Sequence, residues 1–144
     1  MQLTRFTDIG LRVVMRLVTA PADTTLTSRD LAAELAVPYT HVAKVVSRLS
    51  ELGVIHSRRG RSGGIAVTEL GRTAQVGWLA SKLEGDGEVV DCDGPQPCPL
   101  RGNCKLRGAL AQAQRAFYDS LDAHTIDELA SSSARITLLS IGTP

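Results

Sequence analysis

The sequence predicts a mostly α-helical fold with one small β-hairpin. Apolar residues repeat at helical spacing along most of the chain, and the spacing changes to that of strands only around residues 54–67. Two predicted helices are joined by a turn short enough for a helix-turn-helix, and a hairpin after such a unit forms a wing. We therefore expect a winged helix-turn-helix domain at 1–81, a cysteine-bearing loop at 82–104, and a long dimerisation helix with a C-terminal segment at 105–144.

The first helix is predicted over residues 4–20, because apolar residues recur every three or four positions until Pro21 interrupts the pattern. Thr27 then favours the start of a second helix at 28–36, since its hydroxyl can accept a hydrogen bond from the amide of Asp30. The second helix is the first of the two helices of the predicted helix-turn-helix.

The third helix is the candidate recognition helix. Pro38 favours its first turn, and Gly53 is typical of the residue that follows a helix end. Its polar face would then be free to contact a ligand. Its buried face is predicted to consist of Val42, Val45, Val46, Leu49 and Leu52.

Beyond this helix, two short strands at 54–57 and 65–67 are joined by a glycine-rich turn, which predicts the wing. A further helix is predicted at 72–83. Asn103 can cap a long helix, and Thr125 can open a capping box for a last short helix. Because the apolar stripe of the long helix exceeds what a small core covers, we expect it to form a dimer interface. The stripe consists of Leu106, Leu110, Ala113, Phe117 and Leu121.

The composition is that of a globular protein. Hydrophobic residues make up 43% and charged residues 22%, which excludes wholesale disorder. The N-terminus carries an acid, Asp8, where a secretory signal needs an apolar run, so we expect a cytoplasmic protein. Three cysteines, an odd number in a reducing compartment, favour metal binding or redox chemistry over a disulfide framework.

The sign of the charge differs between the two halves of the chain. Residues 1–81 carry ten Lys and Arg against six Asp and Glu, whereas residues 82–144 carry six against nine. Residues 84–93 alone hold five acids and no base. This distribution indicates a basic working surface and an acidic loop.

Polar and basic side chains gather on the third helix and on the wing, outside the apolar face. There they can meet base edges in a major groove and phosphates of double-stranded DNA, while a narrow wing can approach the backbone or minor groove. A merely solvated basic face is the alternative interpretation. The candidate DNA contacts are Ser28, Arg29, Tyr39, Thr40, His41, Lys44, Arg48, Arg58, Arg59 and Arg61, with Ser47 beside them.

The three cysteines, Cys92, Cys98 and Cys104, are separated by five residues each, in a segment rich in Pro and Gly. Such a segment can turn three thiolates toward one centre, and soft thiolates suit iron-sulfur clusters. Zinc fits less well, because its paired cysteines are commonly two to four residues apart. Buried free cysteines and a reversible disulfide are also compatible with the spacing.

Together these segments resemble the NsrR family of nitric-oxide-sensing iron-sulfur repressors. The resemblance covers nearly the whole chain. It implies a homodimeric repressor with one cluster per subunit, of the [4Fe-4S] type with [2Fe-2S] as the alternative. Nitric oxide would release inverted-repeat operators of nitrosative-stress genes. The matching blocks are QLTRFTD at 2–8, VPYTHVAKVV at 37–46, RRGRSGG at 58–64, the turn at 83–85 and the cysteines.

The fourth ligand of the cluster is also implied by the resemblance. In actinobacterial members an aspartate of the Phe-Thr-Asp block reaches the cluster of the partner subunit, and the matching residue here is Asp8. The alternative role of Asp8 is a favourable interaction with the helix dipole. His41, His56 and His124 are weaker ligand candidates.

Two further function classes remain open. A related family of cluster-assembly regulators, IscR, places a histidine ligand three residues after its third cysteine, where this chain has Arg107. A small redox or electron-transfer protein could use the same cysteines. We do not expect an enzyme, because the sequence offers no nucleophile-base pair and no phosphate-cradling loop.

Overall fold

A computed structural model describes residues 1–131, 136–137 and 140. It confirms the mostly helical fold with a small two-stranded sheet. Part of the predicted C-terminal segment, at 132–135, 138–139 and 141–144, lies outside the described residues. Within residues 1–131 the elements are α1 (Arg5–Thr19), α2 (Ser28–Glu34), α3 (Tyr39–Glu51), β1 (Ile55–Arg58), β2 (Gly64–Val67), α4 (Glu69–Thr73), α5 (Val76–Glu84), α6 (Lys105–Leu121) and α7 (Ile126–Ala130).

Helix α1 lies at the centre of the fold, where it packs against α3, α5 and α7. The Thr4 hydroxyl caps it by accepting a hydrogen bond from the Thr7 amide, and Ala20 ends it before Pro21, as the sequence predicts. Its apolar face is almost fully buried, because three packed helices and strand β2 cover it. The buried residues of this face include Ile9, Val13, Val14, Leu17 and Val18.

The helix-turn-helix is formed by α2 and α3. Thr27 and Asp30 make the capping box that opens α2. The helix ends at Glu34 rather than at the predicted Ala36, because Ala36 adopts a left-handed backbone with φ +53° and begins the turn. Gly53, with φ +72°, ends α3 as predicted.

The wing is an antiparallel hairpin in which Ile55 pairs with Val67 and Arg58 with Gly64. Gly60 at its tip has φ +116°, a conformation that favours glycine. An isolated bridge between Leu26 and Ile65 joins the hairpin to the segment before α2. The wing is therefore attached to the helix-turn-helix through the backbone as well as through its core side chains.

The prediction of one helix over 72–83 is wrong, since the structure has α4 and α5 with a break at Ala74 and Gln75. At the break, the Val76 amide donates to the His124 carbonyl oxygen and the Ile126 amide donates to the Ala74 carbonyl oxygen. These bonds to a distant segment replace the helical bonds that would have joined α4 to α5. They also bring α7 against α1, where Ile126 is 1% exposed.

Helix α6 packs against α5 but has no buried residue of its own. Its cap also differs from the prediction: Cys104, not Asn103, is the N-cap residue, because the Asn103 amide bonds back to the Leu100 carbonyl oxygen in a preceding turn. Of the predicted stripe, Leu106 is 63% exposed. No helix within the described residues is both long and apolar enough to span a bilayer.

Candidate DNA-binding surface and cysteine loop

Helix α3 presents one apolar and one polar face. Val42, Val45 and Leu49 are fully buried, which anchors the helix on the core. The opposite face carries exposed polar side chains with the spacing needed to enter a groove. The exposed residues among the predicted contacts of this helix are Tyr39, Thr40, His41, Lys44 and Ser47.

The start of α2 lies beside the start of α3. The guanidinium of Arg29 lies 5.2 Å from the centre of the Tyr39 ring, a cation–π geometry. Ser28, the first residue of α2, is half-buried, whereas Arg29 is exposed. The predicted contacts of α2 and α3 therefore share one surface, and Tyr39 orients the arginine.

Arg48 differs from the other basic residues of this surface. Its guanidinium donates hydrogen bonds to Glu51 and to the Lys82 carbonyl oxygen, each at 3.2 Å. The second bond satisfies a carbonyl in the last turn of α5, which would otherwise lack a helical partner. Arg48 thus links two helices, a role that sequence reasoning missed because its partner is distant in the chain.

The wing carries Arg58, Arg59 and Arg61, and all three side chains are exposed. None of them forms an ion pair within the described part of the chain. They surround a tip made narrow by glycine, since a Cβ at Gly63 would collide with the Arg58 carbonyl oxygen. His56, in β1, is exposed as well.

The cysteine loop, residues 85–104, turns back on itself so that its three thiols share one neighbourhood. The Cys98 amide donates to the Cys92 carbonyl oxygen at 3.0 Å, and the Arg101 amide donates to the Cys98 carbonyl oxygen at 3.1 Å. Cys92 is 9% exposed, whereas Cys98 and Cys104 are half-buried. All three are free thiols rather than disulfide partners.

The thiols influence one another electrostatically. Burial raises the pKa of the Cys92 thiol above its ordinary value, and the nearby Cys98 and Cys104 thiols raise it further. The positive charge of Arg107 acts in the opposite direction. A thiol with a raised pKa is held mainly in its protonated form until a metal or a base removes the proton.

Arg107 clamps the acidic part of the loop to the first turns of α6. Its Nε and Nη2 atoms donate to the two oxygens of Glu88 at 2.7 and 2.8 Å, and Nη2 also donates to Asp93 at 2.9 Å. These ion pairs raise the pKa of the guanidinium, which stays charged. The side chains of these ion pairs and Cys92 line an open recess of about 350 Å³. The acidic run was visible in the sequence, but its partner was not.

The donor set of the cysteine loop consists of three thiols. Soft thiolates are the ligand type of iron-sulfur clusters, so the chemistry of these residues fits such a cluster. No three His, Cys, Asp or Glu side chains among the described residues stand close enough to hold one metal ion.

The fourth-ligand candidates named from the sequence lie on elements outside the cysteine loop. Asp8 lies on α1, where its carboxylate accepts a hydrogen bond from Arg12 Nε at 2.8 Å. His124 is exposed in the turn before α7, and His41 lies on α3.

The beginning of α1 is nevertheless tied to the beginning of the cysteine loop. The Glu84 carboxylate, at the end of α5, accepts hydrogen bonds from the Thr4 amide at 3.1 Å and from the Thr4 hydroxyl at 3.0 Å. It also accepts one from the fully buried Thr7 hydroxyl. Sequence reasoning missed this role of Glu84, although the turn at 83–85 drew attention to the position.

Known proteins are similar to this chain over nearly its whole length. The profile of the Rrf2 family, described as iron-dependent transcriptional regulators, matches residues 3–132. The HTH-type transcriptional repressor NsrR of Streptomyces coelicolor is 51% identical over 142 residues, covering 98% of this chain and 96% of that protein. The HTH-type transcriptional regulator NsrR of Geobacillus kaustophilus is 33% identical and covers 96% of each chain.

Solved structures share the fold at lower identity. CymR (YrzC), the global cysteine regulator of B. subtilis, matches with a TM-score of 0.69 at 21% identity and covers 92% of this chain and 98% of its own. IscR of T. potens matches with a TM-score of 0.70 at 16% identity and covers 93% and 90%. These likenesses support the winged-helix architecture.

Proposed function

The chain belongs to the Rrf2 family of transcriptional regulators, and from this premise we propose that it is a homodimeric DNA-binding repressor that senses nitric oxide. It would control genes of nitrosative-stress defence from inverted-repeat operators in the cytoplasm. The observation that carries the proposal is the presence, on one chain, of an exposed basic surface on α3 and the wing and a loop that gathers three thiols. The name of the S. coelicolor relative, a repressor, agrees with it.

DNA binding is assigned to α3 for base edges and to the wing for the backbone or minor groove. Thr40, Lys44 and Ser47 lie on the exposed face of α3, opposite its buried residues. Arg59 and Arg61 carry exposed positive charge on the wing. Two such surfaces in a dimer would read half-sites about one helical turn apart, roughly 34 Å.

The dimer interface is assigned to α6, because this helix has no buried residue within a single chain. Leu110 and Phe117 are half-buried, whereas Leu106 and Ala113 remain exposed. The exposed part of this helix would gain cover from the same helix of a second subunit. A two-fold arrangement of this kind is the commonest in soluble oligomers.

The cysteine loop is assigned to an iron-sulfur cluster, of the [4Fe-4S] type with [2Fe-2S] as the alternative. Cys92, Cys98 and Cys104 would be its thiolate ligands, and Asp8 of the partner subunit the fourth. When bound, the cluster supplies iron that reacts with nitric oxide. Arg107 keeps the acidic segment folded beside the thiols.

One anaerobic experiment tests the proposal. Wild-type protein and the variant Cys98→Ser are purified without oxygen, and visible absorbance, iron content and DNA binding are followed during titration with nitric oxide. The DNA probe is a duplex recovered from random sequence by wild-type protein. We expect brown wild-type protein whose absorbance and DNA binding fall together, and a colourless variant.

Other outcomes of this experiment would identify other classes of protein. Colourless, iron-free wild-type protein would overturn the cluster and favour a thiol or zinc regulator. Brown protein whose DNA binding follows iron supply or oxygen, but not nitric oxide, would favour a regulator of cluster assembly. Brown protein with only weak, nonspecific DNA retention would favour an electron carrier.

A further inference from the structure

A recess of about 370 Å³ lies between the first turns of α1 and helix α3. Its floor is apolar, since Ile9 is 1% exposed and Phe6 is half-buried. Its rim is basic, because exposed Arg5 of α1 faces exposed His41 and Lys44 of α3. Thr4 completes the lining, which contains no carboxylate from the described residues.

The basic side chains of this rim have no acidic partner in the described part of the chain. Neither Arg5 nor Lys44 takes part in an ion pair there. The other arginines of α1 behave differently, since Arg12 pairs with Asp8 and Arg16 pairs with Glu34. Two such cations that converge on one recess indicate a site for an anion brought by another molecule.

The recess also stands beside the polar face of α3. His41 and Lys44 are three residues apart and so lie on the same side of that helix, next to Thr40. When a recognition helix enters a major groove, the two phosphate backbones run along its flanks. The recess therefore opens where one of these backbones would pass.

We propose that this recess binds a backbone phosphate of DNA, with Arg5 as a contact that no motif of the recognition helix or wing includes. The ligand is a phosphodiester group, held by Arg5 together with Lys44 and independent of base sequence. The proposed site consists of side chains and does not use the free amides at the start of α1, because the Thr4 amide already donates a hydrogen bond to Glu84. The inference rests on the proposed function as a DNA-binding protein.

The test compares wild-type protein with Arg5→Ala and Arg5→Lys. Each is titrated with the selected duplex and with a mixed-sequence duplex, at salt concentrations from about 50 to 200 mM. Removing one phosphate contact should flatten the slope of log affinity against log salt by about 0.9 per subunit. The loss should be the same on both duplexes, and Arg5→Lys should keep most of the wild-type slope.

Arg115→Ala is the matched control. It removes the same charge from an exposed position of α6, far along the chain from the recess. Its slope should equal that of the wild type. If Arg5→Ala has the same slope as Arg115→Ala, Arg5 contacts no phosphate and the inference is overturned.

The competing occupant of the recess is the acidic segment at 84–93 of a second copy. In that case Arg5→Ala would change the sedimentation of the dimer and leave the salt slope unchanged, which also overturns the inference. Wild-type protein that binds neither duplex would instead overturn the proposed function itself. The two failures are thus distinguishable from the wild-type titration alone.

Discussion

Arg48 of the recognition helix donates a hydrogen bond to the carbonyl oxygen of Lys82 in the last turn of α5, at 3.2 Å. Helix α5 ends at Glu84, and the cysteine loop begins at Gly85. The bond therefore connects the helix assigned to base recognition with the helix that leads into the thiols. The relative position of α3 and α5 is therefore fixed in part by this contact.

Arg48→Ala should act mainly through this connection. We expect the free energy of unfolding to fall by about 1 kcal/mol, since a hydrogen bond to a backbone carbonyl is removed. The salt slope of DNA binding should change little, because the guanidinium is already engaged by Glu51 and Lys82. Urea unfolding and salt titration measure the two effects. A slope flattened by a full unit with unchanged stability would show that Arg48 is a phosphate contact instead.

Arg59→Ala should weaken DNA binding without affecting the fold. Arg59 is exposed on the wing and forms no ion pair with the described residues, so its removal costs little stability. Deleting one phosphate contact should flatten the salt slope by about 0.9 per subunit. Fluorescence anisotropy over a salt series would measure this slope. Unchanged affinity and slope would remove the wing from the DNA interface.

Ala113→Asp should convert the dimer to a monomer. Ala113 is exposed on α6 within one chain, so the subunit should fold normally, whereas a carboxylate in an apolar interface would be desolvated. Gln112→Asp, on another side of the same helix, is the control and should remain dimeric. Sedimentation at micromolar concentration distinguishes them. If both variants sediment like the wild type, α6 is not the interface.

Asp8→Ala should still assemble a cluster on three thiolates but change its reaction with nitric oxide. A hard carboxylate is the ligand least suited to iron among soft thiolates, and so the most easily displaced. Arg12→Ala is the control, because it removes the same exposed ion pair while keeping the carboxylate. Anaerobic reconstitution followed by stopped-flow absorbance gives the comparison. Identical kinetics in Asp8→Ala and wild type would exclude Asp8 as a ligand.

Alkylation of Cys92 in cluster-free protein should require a higher pH than alkylation of the same residue in the unfolded chain. Burial raises the pKa of this thiol, and a raised pKa delays the formation of the reactive thiolate as pH increases. Mass spectrometry after iodoacetamide treatment, with and without urea, measures both midpoints. Equal midpoints would contradict the buried environment of Cys92.

The helices with strong local signals were predictable from the sequence. The Thr27–Asp30 pair forms its cap within three positions, so local chemistry determined where α2 begins. The extent of α1 followed from its apolar spacing and from Pro21. The wing could be predicted in the same way, from Gly60 and the strands on either side of it. The exposure of Lys44 likewise followed from the buried stripe of its own helix.

Errors arose where a distant partner decided the local backbone. The interval 72–83 has helical spacing throughout, yet its backbone at Ala74 bonds to Ile126, fifty-two positions later in the chain (126 − 74). Propensity is a weak preference, and a backbone pairing with the rest of the fold overrides it. The left-handed Ala36 is a similar case, since the turn between two packed helices demands that conformation.

By itself, therefore, the sequence determined the order of the elements apart from the division between α4 and α5, the basic face of α3 and the wing, and the spacing of the three cysteines. Only the tertiary structure decided which charged side chains have a bonded partner in the chain and which have none among the described residues. Arg48 and Arg107 find partners at Lys82 and Glu88, whereas Arg5 finds no ion-pair partner among the described residues. The reason is physical: capping and periodicity act within a turn or two of chain, but ion pairs and recesses depend on which segments the core packs together.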